Sequence, residues 1–153
     1  MKETFREFIT VIGSDKRVVL IMGDCGEGMC KDFALKNPDR FLNVGVCEQS
    51  MVGIAAGLAL EGMIPYVITI TPFLIERAFE QIKMDVDYMQ ANVKLIGYAH
   101  LRQAGLSHKC LDEHKLMSCF RNINCFYPKD AKEAIVYFRV SYESNKPAYI
   151  SIR

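Results

Sequence analysis

Glu48 sits where a carboxyl group can do chemistry. Residues 38–62 read PDRFLNVGVCEQSMVGIAAGLALEG. The apolar run of Phe41, Leu42, Val44 and Val46 has the pattern of a buried strand. The small-residue segment from Ser50 to Leu60 has that of a helix. One acid stands at the turn between them, with almost nothing polar beside it in sequence. Open α/β sheets place their ligands at the carboxyl ends of strands, where helices begin. An acid there is either a helix-start residue favoured by the dipole or a reacting group. The pattern alone leaves both readings open.

Other residues of chemical interest are less decided by pattern. Phe73 follows the ITI strand and opens a helix; taken alone it is a core phenylalanine. Arg77, four residues on, shares its helical face and either reaches a site or pairs with an outside acid. Six cysteines, at 25, 30, 47, 110, 119 and 125, form no C-x-x-C pair and show no zinc spacing with His108 or His114. They read as reduced thiols of a cytoplasmic protein, and no metal site is expected. Cys47 adjoins Glu48 and lines the same turn without an assigned role. His114 is expected on the outside of its helix.

The elements that must position these residues alternate without a break. The N-terminal MKETFREFITVIG is interrupted by charges, unlike a signal peptide, and puts Phe5, Phe8, Ile9 and Ile12 on one helical face. RVVLIM (17–22) reads as a strand, followed by the loop GDCGEG and a brief helix from Met29 to Lys36. FLNVGV is the strand before Glu48, and the Glu48 helix is expected to stop near Gly62. IPYVITI (64–70) is a strand, FLIERAFEQIKMDVDYM (73–89) one helix, and VKLIGYA (93–99) a strand. Lys109 to Phe120 is expected to be helical, INCFY a strand, Ala131 to Ser144 a helix and AYISI the closing strand. Such alternation implies a three-layer α/β/α fold, a mostly parallel sheet covered on both faces. A chain of 153 residues fits one domain, 1–153, with a sizeable core.

Composition narrows the function. The chain is 50% hydrophobic and 24% charged, as ordered globular proteins are. A formal net charge of +1 gives no electrostatic reason for a nucleic-acid or acidic-membrane partner. No apolar run is long enough to cross a bilayer.

Taken together, the motifs resemble the pyrimidine-binding domain of the transketolase family of thiamine-diphosphate enzymes. In that family a strand ending G-[IV]-x-E-[QH] leads into a Gly/Ala-rich helix, which is the stretch around Glu48. PYVITITPFLIERAFEQIK (65–83) resembles the next strand and helix, with Phe73 and Arg77 in register. GLSHKCLDEHKLM (105–117) is similar to G-x-[ST]-H-Q-x-x-E-D, and YPKDAKEA (127–134) to the turn opening the last helix. The resemblance runs from about Val18 to Arg153.

It implies the thiamine-diphosphate-binding fold and a set of roles. Glu48 falls on the glutamate that hydrogen-bonds the far ring nitrogen of the coenzyme's aminopyrimidine, favouring its imino tautomer so that the coenzyme becomes its own base. Phe73 would stack on the aminopyrimidine, with Arg77 beside the cofactor. His108 matches the histidine that contacts the reacting sugar. His100 matches a histidine near the donor phosphate, and Arg153 a phosphate-clamping arginine.

There are departures too. Between His100 and His108 lies only LRQAGLS, without the acidic Gly-rich segment usual in transketolases, so Arg102 and Gln103 shape a different pocket. GDCGEG superficially suggests a diphosphate- and magnesium-binding motif. It lacks the downstream Asn and precedes the Glu48 strand, so it is not read as a metal site, although Asp24 keeps a comparable place.

The family's second α/β domain, which binds diphosphate through Mg²⁺, is not expected within this length, nor is a third domain. The expectation is therefore a small subunit of a split transketolase, inactive alone. Its partner would be of the diphosphate-binding, transketolase N-terminal type, in a homodimer or α₂β₂ assembly. Its substrates would be sugars or sugar phosphates exchanging a two-carbon ketol unit. A decarboxylating relative, of deoxyxylulose-phosphate-synthase or 2-oxoacid-dehydrogenase type, and a noncatalytic scaffold are the alternatives.

Overall fold

The computed structural model describes residues 1–98 and 104–152. The elements run α1 (Lys2–Ile12), β1 (Val18–Met22), α2 (Glu27–Lys36), β2 (Phe41–Asn43), α3 (Glu48–Leu60), β3 (Ile64–Ile70), α4 (Thr71–Ile75), α5 (Phe79–Gln81), β4 (Lys94–Tyr98), α6 (Glu113–Met117), β5 (Asn124–Phe126), α7 (Ala131–Glu143) and β6 (Ala148–Ile152). The strands form one sheet in the order β2-β1-β3-β4-β6-β5, every pair parallel.

Strand alternation divides the core in two. Val18, Leu20, Met22, Tyr66, Ile68, Ile96, Ile150 and Ile152 face α1, α2 and α7, where Phe5, Phe8, Phe33 and Phe138 fill the layer. Val19, Ile21, Val67, Leu95 and Tyr149 face the other way, onto Met51, Val52, Ala55, Ile82, Val86 and Met117. The three-layer architecture expected from the alternation is the one observed. From β1 the chain moves outward to β2, then returns to place β3 on the other side of β1. Open α/β sheets form their ligand crevice at such a reversal, on the carboxyl side of the strands, and Glu48 opens α3 on that side, after β2.

Three stretches depart from the sequence pattern, each for a local reason. The run expected to be a buried strand stops at Asn43, and Leu42 and Val46 are exposed. β2 is an edge strand, covered on fewer sides than its apolar residues suggested. The Asn43 carboxamide oxygen accepts from the amides of Asp24 (3.2 Å) and Gly45 (3.0 Å), and Gly45 turns the chain at φ +71°.

The single helix expected over 73–89 is interrupted at Glu76–Ala78, where the amides of both Glu76 and Arg77 turn back to the Pro72 carbonyl. It then continues through α5 into a wide π-helical turn, Ile82–Tyr88. There the Asp87 carboxylate caps the amides of Arg121 (2.9 Å) and Asn122 (2.7 Å). Finally, the helix expected from Lys109 shrinks to α6. The Asp112 side chain caps Lys115 (3.1 Å), and the Leu111 amide is already held by Glu76 (2.6 Å).

The amino edge of the sheet is fastened by cations on backbone carbonyls. Arg40 donates to the carbonyls of Gly13 (2.7 Å), Asp15 (2.7 Å) and Val18 (2.8 Å), and to Asn37. Lys94, fully buried at the start of central β4, donates to the carbonyls of Ser144 (2.9 Å) and Lys146 (2.7 Å), closing the loop before β6. Dehydration nevertheless pushes the Lys94 ammonium down to about 7 from its ordinary 10.5.

Between these two values the unfolded chain binds a proton that the folded chain has released, so stability rises with pH there. Below pH 7 both states are protonated and the rise ends. Denaturant unfolding is therefore expected to show stability increasing from pH 7 towards 9, where thiols ordinarily begin to titrate. Lys94→Met should flatten that slope. A native chain with no slope in this window would contradict the role given to Lys94.

Candidate active site

Glu48 is the first residue of α3 and only 1% exposed. The left-handed turn at Gly45 and the non-helical Cys47 (φ −137°, ψ 56°) precede it, so the chain turns before helical geometry begins. Its Oε2 accepts a 2.8 Å bond from Arg77 Nη1. Its Oε1 is buried with no hydrogen-bond partner among the described residues. Leaving a buried polar atom unpaired costs about 1–3 kcal/mol, and more if it carries charge. The carboxyl group thus has one oxygen anchored and one held open.

Arg77 owes this reach to the interruption after α4. Its side chain is 37% exposed, and its guanidinium lies 4.0 Å from the centroid of the Phe73 ring. Of the two roles left open by the sequence, Arg77 takes the first: it reaches inward, and the acid it pairs with is Glu48. Phe73, in α4, is 8% exposed and belongs to the apolar core while meeting Arg77. Its ring also meets His108, edge to face, with centroids 4.8 Å apart and planes at 67°. Glu48, Arg77, Phe73 and His108 therefore form one continuous line of contacts.

His108 ends a short 3₁₀ turn, Leu106–His108, entered at Gly105 with φ +108°. Its Nδ1 lies 3.2 Å from Ser107 Oγ. This turn and α6 pack against α4. Glu113, which opens α6, is buried and accepts a hydrogen bond from the Tyr149 hydroxyl of β6. Glu113 falls on the last acid of the motif that GLSHKCLDEHKLM resembles, but an acid in D-E-H at a helix start has the pattern of a solvated residue, and its burial was not expected. His114, its neighbour, is exposed as expected and stacks on Tyr127 with centroids 3.9 Å apart.

The loop after β1 borders the same crevice. Asp24 adopts φ +54°, fixed by its bonds with Asn43. Cys25 is half-buried, and burial foremost raises its thiol above the ordinary value; a hydrogen bond with Tyr98 opposes this, and the charges of Asp24 and then Glu48 raise it further, with a smaller lowering by Arg77. It is a poor thiolate. Cys47 is exposed beside Glu48. Among the described residues no group of three or more His, Cys, Asp or Glu side chains could hold a metal ion. His100 and Arg153, together with Arg102 and Gln103, lie outside the described residues.

Comparison with known proteins places the chain in a family. Residues 3–153 match the family model described as transketolase, pyrimidine binding domain. A subunit of an apulose-4-phosphate transketolase from Actinobacillus succinogenes is 36% identical over 151 residues, which cover 95% of this chain and 48% of that protein. A 1-deoxy-D-xylulose-5-phosphate synthase from Clostridium perfringens is 32% identical over 151 residues, 94% of this chain but 24% of the synthase. Among solved structures, one described as a split gene transketolase, inactive beta4 tetramer, superposes with a TM-score of 0.86 at 31% identity, over 97% of this chain and 49% of that one. The chain spans about half the length of the transketolase subunits it matches. On the family match, carried by nearly the whole sequence, this chain belongs to the transketolase pyrimidine-binding domain family.

Proposed function

We propose that this chain supplies the pyrimidine-binding half of a thiamine-diphosphate-dependent transferase of transketolase type, moving a two-carbon ketol unit between sugars or sugar phosphates. The observation that carries the reading is the open Oε1 of Glu48, a buried acceptor without a partner at the mouth of the sheet. Bound thiamine diphosphate would supply a stabilised carbanion for breaking and forming carbon–carbon bonds.

The residues present fit the coenzyme. Glu48 would meet a ring nitrogen of its aminopyrimidine through Oε1 while Arg77 keeps Oε2 occupied, so the carboxyl group cannot rotate away. Phe73 would offer its ring to the heterocycle. His108, held against Phe73, stands where it can exchange protons with a sugar hydroxyl. His100 and Arg153 are proposed, on the family pattern alone, to meet the substrate's phosphate.

Mg²⁺ and the diphosphate are assigned to a partner subunit of the diphosphate-binding type, in a homodimer or α₂β₂ assembly. That the apulose-4-phosphate transketolase relative is itself named as one subunit supports a division of this kind. The outer side of α3, with Gly53, Gly57 and exposed Ile54 and Leu60, offers a close-packing surface for such assembly. The reading extends to a cytoplasmic location, following the expectation drawn from the cysteines. No described helix is long and apolar enough to cross a membrane.

One observation favours a second reading. The match to a deoxyxylulose-phosphate synthase keeps decarboxylative chemistry on a 2-oxoacid as the alternative. Mixing the chain with its purified partner, thiamine diphosphate and Mg²⁺ separates the two. Ketose phosphates are the expected donors, and turnover of pyruvate instead would select the alternative. In the same assembly Glu48→Gln is expected to lower turnover by about 10²–10⁴-fold while the chain stays folded. Undiminished turnover would remove Glu48 from the mechanism.

Arg77→Met strands the second carboxyl oxygen as well. Urea unfolding of the chain should show a loss of about 1–3 kcal/mol, and the loss should shrink when Glu48→Gln is already present. Equal losses in both backgrounds would mean that the pair does not act as a unit.

A further inference from the structure

Beneath the site the sheet carries polar groups that parallel-sheet cores normally exclude. Tyr149 is fully buried in β6, Glu113 is 3% exposed at the start of α6, and the tyrosine hydroxyl donates to Glu113 Oε1. The path of the tyrosine depends on Gly97 in neighbouring β4. A Cβ at that position would lie 2.6 Å from the hydroxyl oxygen and 3.1 Å from ring Cε2. The same added carbon would lie 2.9 Å from Oγ1 of Thr71, the first residue of α4. The hydroxyl therefore emerges under the helix that carries Phe73 and there meets the carboxyl group of α6. Burial first, and the charge of Glu113 second, raise the Tyr149 phenol well above its ordinary value, so it stays a donor.

A buried carboxyl group is costly to hold, and apolar residues of similar volume often stabilise a fold as well or better. Its location suggests what it does instead. Four residues separate Glu113 from His108. Within that stretch the Leu111 amide donates to Glu76, just past the end of α4, through an exposed bond. An exposed bond competes with water; the Tyr149–Glu113 bond is shielded from it.

The geometry points to Glu113 as a positioning residue: its grip on the Tyr149 hydroxyl fixes the segment from Gly105 to Glu113 onto α4 and so sets His108 against Phe73. The inference rests on the reading that His108 serves the reacting sugar, and it assigns Glu113 no contact with substrate. Gly97 and Tyr149 belong to the same device, one making room and the other supplying the proton.

The test follows the ring protons of His108 by NMR in the full chain. Phe73→Leu defines the displacement that the Phe73 ring current imposes on them. Tyr149→Phe and Glu113→Ala, each verified as folded by circular dichroism, are expected to at least halve that displacement. Glu113→Gln, which keeps an acceptor oxygen, should restore most of it. Full displacement in the two folded disruptive variants would overturn the proposal, because a residue needed only for stability would leave His108 in place.

Should neither variant fold, the unaltered chain decides. A slowly exchanging Tyr149 hydroxyl proton with cross-peaks to Glu113, and protected amides between them and His108, would support the proposal. Rapid exchange of that hydroxyl would sink it. Failure of the unaltered chain to bind coenzyme with its partner would overturn the functional reading and leave this result untouched.

Discussion

A single carboxyl group, held out of water with one oxygen tied and the other open, is the constraint around which the structure is arranged. Glu48 tolerates burial because Arg77 neutralises it at 2.8 Å, and Arg77 reaches it only because the helix after β3 breaks. The break follows from the Pro72 carbonyl receiving two successive amides. An uninterrupted helix would have left Glu48 without this partner in the crevice. Local irregularity is here the condition for the ion pair, and the ion pair for the open oxygen.

The two edges of the sheet use polar groups in opposite ways. At the amino edge Arg40 and Lys94 direct their donors to backbone carbonyls, five of them in all, and bind the loops shut. At the carboxyl edge an acceptor is kept open, and the segments around it are tied from beneath and from the side. Asn43 joins the loops after β1 and β2, while Glu76 and Tyr149 hold the His108 segment. Stability concentrates at one edge and chemical capacity at the other, as open α/β folds allow.

Much of this was legible in the sequence. Apolar runs and helical patterns placed the six strands and the three layers, since strands buried on both faces leave a strong signal. The resemblance brought Glu48, Phe73, Arg77 and His108 together, and the structure joins all four by contact. Legibility failed wherever long-range bonds overrode a local pattern. The Asp87 caps reshaped the helix of residues 73–89, Glu76 and Asp112 shortened α6, and edge placement exposed Leu42 and Val46. Lys94 and Glu113 carry charge in sequence, and only the fold reveals that both are buried. No periodicity announces a charged side chain whose partners lie tens of residues away.

The most direct measurement of the central claim is a structure of the assembled enzyme with thiamine diphosphate bound. Glu48 Oε1 is expected within hydrogen-bonding distance of a ring nitrogen of the aminopyrimidine, with Arg77 still on the other oxygen. A heterocycle seated elsewhere, with that carboxyl group bonded to Arg77 alone or turned towards water, would contradict it.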